Sequence, residues 1–334
     1  MAVSETGVVT AITVLYVVAM LVALVGNIVL IYIVWTKPDV RSLTSSMFVN
    51  MAVADLMVTL FMMPVSIAQL HTNFTWAIPG VLGEITCRGF GLISHATVMA
   101  TILCLAFMAI DRFFAVVYPW KRRSLWFRQA KFVTPLTWIM SFALMAIMAV
   151  VYYVYDPTSQ CGIDILGNQT RTIRSLFLYL FAISYFIPLV FISFLHAKTA
   201  HEVWFRQAPG VQLINNQQRQ REITKRKAVR MLVIIVVVFA LCWLPAQVIH
   251  LYWAKTAWRV DDAPGIVMYL AFWLGHANSA INPWLYIFLS SKIYSAFTKM
   301  IRRQPNERSR QSTETMTLTR ATARELHEVL ESTV

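Results

Sequence analysis

The chain has 334 residues, 58% of them apolar and only 13% charged, where a soluble domain carries about 25% charged side chains. A soluble all-helical protein would repeat charged faces through its apolar stretches, and none do so here. Composition therefore excludes an ordinary soluble fold, and the net charge of +13 has to be read by where it falls.

A short N-terminus (residues 1–7) precedes the first apolar block, Val8–Trp35. That block is too long for the core of a cleavable signal and reads as a signal anchor. Further blocks follow at Met47–Leu70, Ile85–Ile110, Phe132–Val154, Leu176–Leu195, Val229–Trp253 and Ile266–Leu289. Each is near the roughly 20 residues a helix needs to cross a bilayer. The prediction is an all-α membrane protein, a seven-transmembrane helix bundle over residues 8–290. The turn "TKPDVRSL" joins spans one and two, and "YPWKRRSLWFRQ" forms the second inner loop. The third inner loop, "RQAPGVQLINNQQRQREITKRK", is too short for a folded domain, while the second outer loop is long enough for a hairpin centred on Cys161. After span seven, "SSKIYSAFTKMIRR" alternates apolar and basic residues at helical spacing. It predicts an amphipathic C-terminal surface helix over residues 291–303. Residues 304–334 are polar and rich in Ser and Thr, which predicts a disordered cytoplasmic tail.

Charge orients the bundle. All but Arg88, Arg171, Arg174, Lys255 and Arg259 of the 29 Lys and Arg fall in the three inner loops and the tail, so the positive-inside rule puts the N-terminus outside the cell. The basic surplus reads as topology and attraction to an anionic lipid bilayer, and no nucleic-acid partner is expected. Four cysteines allow three pairings. Cys104 and Cys242 lie within spans, whereas Cys87 and Cys161 face an oxidising compartment, which favours a Cys87–Cys161 disulfide. Glycosylation sequons at Asn73 and Asn168 fall on the same outer side.

The polar residues inside the spans are few. Asp55 lies in the middle of span two, where an acid is costly and usually functional. Asn27, Thr101, Asn278, Ser279 and Asn282 stand at comparable depth. Two readings remain open: oxygen ligands around one carboxylate, suited to a hard cation such as sodium, or a protonated Asp55 acting as structural glue. In span six, "FALCWLPAQVIH" places Pro245 mid-helix, a defect costing about 3 kcal/mol. Such a kink is either packing or a bistable element that a ligand can bias.

The ordered set "GNIVL" at Asn27, "AVADL" at Asp55, Cys87 with Cys161, "IDRFFAVVYP" at Asp111-Arg112, Trp138, Pro188, "FALCWLP" and "NSAINPWLY" resembles the rhodopsin-like, or class A, G-protein-coupled receptors. The resemblance spans nearly the whole membrane part. It implies a multi-pass plasma-membrane receptor that acts on a heterotrimeric G protein and is not an enzyme. It implies that Asp111 restrains Arg112 at the end of span three, and that Arg112 meets the G protein once span six swings outward about Pro245. Trp243 would sense the ligand, Ile102, Pro188 and Phe239 would relay the change, and Tyr286, after Asn282 and Pro283, would turn inward. No cofactor is implied beyond an allosteric sodium ion.

Three positions depart from the family pattern. Lys225 replaces the acid that often pairs with the span-three arginine, which implies measurable basal signalling. His196 replaces a tyrosine in span five; it is either a water-linked partner of Tyr286 or a satisfied interior histidine. No cysteine follows the surface helix, so lipid anchoring there is not expected.

Ser94 stands where amine receptors carry an aspartate, and His276 where opsins carry the retinal-linking lysine. Stretches such as "SSMFVNMAVADLMVTLFMMP" and "CWLPAQVIHLYW" are similar to neuropeptide receptors, notably those for amidated peptides. The implied pocket is lined by Gln69, Ser94, His95, Thr97, Gln247, His250, Tyr269, Trp273 and His276, with Trp243 as its floor. Glu84, Asp164, Asp261 and Asp262 at the mouth would meet a basic peptide end or simply be solvated. The short N-terminus keeps a lipid or nucleoside-like ligand open, and Lys225 keeps open a constitutively active orphan. A channel or transporter is a further alternative, but Asp55 is the only acid within the spans. In the tail, Ser309, Ser312, Thr313, Thr315, Thr317 and Thr319 would accept phosphate from receptor kinases and recruit arrestin. The last residues, Ser332, Thr333 and Val334, fit a PDZ ligand.

Overall fold

The computed structural model describes residues 5–72, 75–118, 129–155, 159–163, 170–205, 216–256 and 265–302. The sequons at Asn73 and Asn168, the acids Asp164, Asp261 and Asp262, and the tail with its phosphate acceptors and Val334 lie outside these residues.

Helix α1 runs Glu5–Thr36. A single 3-10 turn, Pro38–Val40, leads to α2, Leu43–Thr72. Ser42 opens α2 with a capping box: its hydroxyl accepts from Ser45 N at 3.1 Å, and Ser42 N donates to Ser45 Oγ at 2.7 Å. Helix α3 spans Gly80–Val116, and α4 spans Ala130–Met145 with one further turn at Met148–Val151. Strands β1, Tyr152–Tyr155, and β2, Gln160–Ile163, pair antiparallel with Val154 opposite Cys161. Helix α5 comprises Thr170–Phe181, a π turn Ala182–Phe186 and Ile187–Phe205. Helices α6, Asn216–Thr256, α7, Gly265–Leu289, and α8, Ser291–Ile301, complete the order.

Helix α1 packs on α2 and α7, α5 on α6, and α6 on α7, while α3 touches α2, α4, α5 and α6 from the centre. The outward face of α1 shows Val14, Val18, Leu21 and Val25 to the surroundings, whereas Asn27, Asp55, Asn278 and Asn282 are buried. Apolar outside and polar inside is the arrangement a bilayer demands, because hydrocarbon offers no hydrogen bonds.

Among the described residues, five helices are long and apolar enough to cross a bilayer by length and composition. The other two spans fall short for different reasons. Helix α4 is a shorter apolar helix, Ala130–Met145. Helix α7 is diluted by His276, Asn278, Ser279, Asn282 and Pro283.

Three local expectations need correcting. The fourth apolar block was expected to end at Val154, but helix gives way to strand at Tyr152, because the aromatic run Tyr152-Tyr153-Val154-Tyr155 is spent on the hairpin. Span three does not end at Arg112; α3 continues a further turn to Val116. The second half of the third inner loop is the first part of α6. Helices α2 and α5 each carry a π turn, at Val58–Met62 and Ala182–Phe186. Each lies just before a proline, Pro64 and Pro188, whose missing N–H and ring disturb the ladder behind it. By contrast α6 runs through Pro245 without a break in assignment, leaving the Leu241 carbonyl without its usual N–H donor.

Two glycines set inter-element distances. A Cβ on Gly26 would stand 2.7 Å from Pro283 Cγ and 2.9 Å from Trp284 Nε1, and one on Gly91 would stand 2.3 Å from the Tyr152 ring. Gly26 thus lets α1 seat against α7, and Gly91 lets β1 lie on α3. Replacing Gly26 by Val should cost about 1–3 kcal/mol by overpacking, read as a lower thermal midpoint of the purified protein. Gly89→Ala, where a Cβ meets nothing within 4 Å, should leave the midpoint unchanged or raise it.

Candidate functional site

At the end of the bundle that carries the hairpin, a cavity of about 250 Å³ opens between α2, α3, α5, α6 and α7. Its roof is the hairpin itself, through Tyr152, Cys161, Gly162 and Ile163. The hairpin is tied down at several points. Cys161 is joined to Cys87 of α3 by the expected disulfide. Glu84 Oε2 accepts from Val154 N at 3.1 Å, and Trp76 N donates to Ser159 O at 2.7 Å. The Tyr152 ring meets Phe90 and His95 edge-on at 6.5 and 6.0 Å. Burial pushes the Tyr152 phenol up to about 12, so it presents a neutral hydroxyl. Glu84, considered above for the mouth, also pairs with Arg88 at 3.2 Å and is therefore engaged in holding the roof.

Of the expected pocket residues, Gln69, Ser94, His95, Trp243, Gln247, His250, Tyr269 and His276 line the cavity. Thr97 and Trp273 do not. On α3 the lining residues are Phe90, Ser94, His95 and Val98, spaced along one face. Thr97 is on another face, buried, with its hydroxyl donating to Ser94 O at 2.8 Å. On α7 the lining face holds Met268, Tyr269, Phe272 and His276. Trp273 sits beside it and packs into a second apolar cluster with Ile12, Tyr16 and Met62.

The sequence reading missed Tyr16, Phe90, Phe177, Trp253 and Phe272. Phe177, His250, Trp253 and Phe272 form one aromatic wall: Phe177 lies 5.2 Å from Trp253 and 5.6 Å from His250, and Phe272 lies 6.0 Å from both Trp253 and His250. At the floor, His276 contacts Trp243 at 6.3 Å, and its Nδ1 is 3.3 Å from the Tyr16 hydroxyl. The polar groups of the wall are histidines, amides and hydroxyls. No Asp, Glu, Lys or Arg is among the described lining residues. The chemistry on offer is aromatic stacking with neutral hydrogen bonds.

Beneath the floor the bundle becomes a polar core. Asn282 Nδ2 donates to Asp55 Oδ2 at 3.1 Å, and Thr59 donates to the Asp55 carbonyl at 2.7 Å. Asn27 Nδ2 donates to Ala23 O at 2.9 Å and to Ser279 O at 3.1 Å, which links α1 to α7. The side-chain oxygens of Asn27, Asn278 and Asn282 are buried and make no hydrogen bond. Amide and carboxylate oxygens are the donor type that a hard cation takes. Thr101 is buried too, but its hydroxyl donates to Thr97 O at 3.2 Å.

Ile102 and Phe239 are buried in the main core, Pro188 is half-buried, and the Phe239 ring stands 6.3 Å from Trp243. At the other end, Asp111 is buried and Arg112 Nη2 donates to Thr44 Oγ1 of α2. That partner could not be read from either helix alone. Tyr286 stacks on Phe48 at 4.3 Å and its hydroxyl donates to Met51 Sδ at 3.6 Å, so the ring is packed under α2. His196 is buried, and Lys225 is exposed at the base of α6.

A seven-helix membrane bundle with a roofed aromatic cavity above a polar core defines a class of membrane receptor. The profile of the family described as "7 transmembrane receptor (rhodopsin family)" matches residues 26–286, and the chain belongs to that family. It is a multi-pass membrane protein and a signalling receptor, not an enzyme. Among curated proteins it is similar to the RYamide receptor of Drosophila melanogaster, 27% identical over 88% of this chain and 64% of that protein. It is also similar to the QRFP-like peptide receptor of Branchiostoma floridae, 28% identical over 92% of this chain and 82% of that protein. The allatostatin-A receptor of Bombyx mori is 29% identical over 84% of this chain and 76% of its own length.

The disulfide closes a sequence separation of 74 residues. Its removal in Cys161→Ser should cost about 2–5 kcal/mol, measured as a lower thermal midpoint and a lower surface level in intact cells.

Proposed function

We propose that this receptor is switched on by an extracellular peptide and activates a heterotrimeric G protein. The observation that carries the reading is the cavity: aromatic walls, convergent neutral polar groups and a Trp243 floor, beneath a hairpin roof. Such a lining suits a ligand end that is aromatic and uncharged, which agrees with an amidated peptide. The names of the three relatives, each a receptor for a peptide, support it. The N-terminus lies outside the cell in this proposal, and residues 1–7 and 304–334 flank the bundle as outer and cytoplasmic segments.

A ligand that fills the cavity presses on Trp243, and the Pro245 defect lets the inner half of α6 move while the outer half stays packed. Phe239, Ile102 and Pro188 carry the shift, and Arg112 leaves its resting contacts to meet the G protein. Asp55 with the oxygens of Asn27, Asn278 and Asn282 would hold sodium in the resting state, where the ion supplies a counter-charge to the carboxylate. Arrestin and receptor kinases at the tail, and a PDZ protein at Val334, belong to the same proposal.

The deciding experiment is agonist-stimulated nucleotide exchange in membranes, screening amidated neuropeptides beside lipids and nucleosides. A peptide response lost in Trp243→Ala and in Arg112→Ala, at unchanged surface level, is expected. A response confined to lipids or nucleosides would overturn the peptide reading. Two further outcomes are expected in the same assay. Asp55→Asn should remove the sodium dependence of agonist affinity, read by competition binding with sodium or a bulky organic cation. Lys225→Glu, which restores an acid at the base of α6, should lower exchange in the absence of ligand.

A further inference from the structure

On the solvent side of the aromatic wall stands a fixed cation, Arg174, that is not part of the cavity lining. We propose that Arg174, with Lys255 beside it, forms a rim subsite for an acidic side chain of the peptide, one or two residues before the aromatic end that enters the cavity. This subsite rests on the peptide ligand proposed above and adds a carboxylate to it.

Phe177, Leu180 and Ser184 line the cavity at helical spacing along α5. Arg174 lies three residues before Phe177, on the next turn toward the hairpin end of the helix, and residues at that spacing share a face. Its Nε donates to Ala254 O at 3.2 Å. Ala254 follows Trp253, the α6 member of the wall, close to the end of α6 at Thr256. The guanidinium therefore bridges the outer ends of α5 and α6, one turn beyond the 5.2 Å contact of Phe177 with Trp253. Lys255, the next residue of α6, is exposed, and so is Arg171 at the start of α5.

Carbonyls at a helix C-terminus attract a cation, but the bond to Ala254 O occupies Nε alone. The Nη1 and Nη2 groups remain for a carboxylate, which a guanidinium grips with two parallel bonds. Arg171 lies in the first turn of α5, where the helix dipole disfavours positive charge, so helix stability does not account for it. Glu84, on α3, is taken up by Arg88 and by Val154 N. Among the described residues neither Arg174 nor Lys255 has a carboxylate partner. The cavity below has no charge among its described lining residues and would leave a buried acid unpaired, at high cost. A carboxylate is therefore accepted at the rim and not at the floor. Three helical residues advance about 4.5 Å and one extended peptide residue about 3.4 Å, which sets the offset of one or two residues.

The test is calorimetric titration of the full-length, detergent-purified receptor with the synthetic peptides acetyl-Gly-Gly-Xaa-Phe-amide and acetyl-Gly-Xaa-Gly-Phe-amide, where Xaa is Glu, Gln or Lys. In at least one of the two registers the Glu peptide should bind about fivefold tighter than the Gln peptide, and the Lys peptide should bind weakest. Changing the peptide leaves the receptor intact, so this comparison stands whatever a substitution does to folding. Arg174→Gln keeps an amide donor for Ala254 O and should abolish the preference for Glu while leaving the affinity of the Gln peptide unchanged. A purely structural cap would instead weaken both peptides alike, with no coupling between receptor and peptide substitutions. Equal affinity for the Glu and Gln peptides, or a Glu preference that survives Arg174→Gln, would overturn the acidic subsite and leave the peptide reading standing. Binding of no peptide in the set, beside an exchange response confined to lipids or nucleosides, would overturn both.

Discussion

Hydrocarbon solvates no polar group, and this constraint organises the bundle. Asp55 is the clearest case: a carboxylate in mid-span must be surrounded by its own protein. Asn282 of α7 donates to the carboxylate, Thr59 of α2 to the Asp55 backbone carbonyl, and Asn27 of α1 to the Ser279 backbone carbonyl of α7. Once those contacts are made, α1, α2 and α7 are drawn together, and Gly26 lets α1 approach Pro283 and Trp284 closely. The polar core is therefore the glue of the bundle, and three of its amide oxygens lack donors.

The two ends of the molecule solve opposite problems. At the hairpin end, a disulfide, Glu84 and the Tyr152 contacts hold the roof over a cavity with no charge among its described lining residues. At the Arg112 end, charged groups are buried or reach across helices, as Arg112 does to Thr44 of α2. Between the two ends lie the proline-bearing helices, where the backbone ladder is weakest.

The fold and much of the site were legible in the sequence because each depends on properties of single segments. Span length, the run of basic residues on one side and the mid-span polar residues are read one helix at a time. The cavity residues Ser94, His95, Gln247 and His250 were legible for the same reason: each is a polar residue in the hairpin-side half of an apolar helix, while His276 is a polar residue at mid-helix. What escaped was whatever needs the rotation of one helix against another. Thr97 and Trp273 sit one position away from lining residues yet face elsewhere, and the wall of Phe177, Trp253 and Phe272 looks like ordinary apolar span in sequence.

By itself, then, the sequence determined the number of spans, the partition of charge, the pairing of Cys87 with Cys161 and the depth at which Asp55 lies. These follow from hydrophobicity and length, which act along the chain. Only the tertiary structure decided that Tyr152–Tyr155 is strand, that Glu84 is engaged with the hairpin, that Thr44 holds Arg112 and that Tyr286 stacks on Phe48. Each of these is a contact between segments distant in sequence, and its geometry is set by close packing of helices around α3 rather than by any local preference.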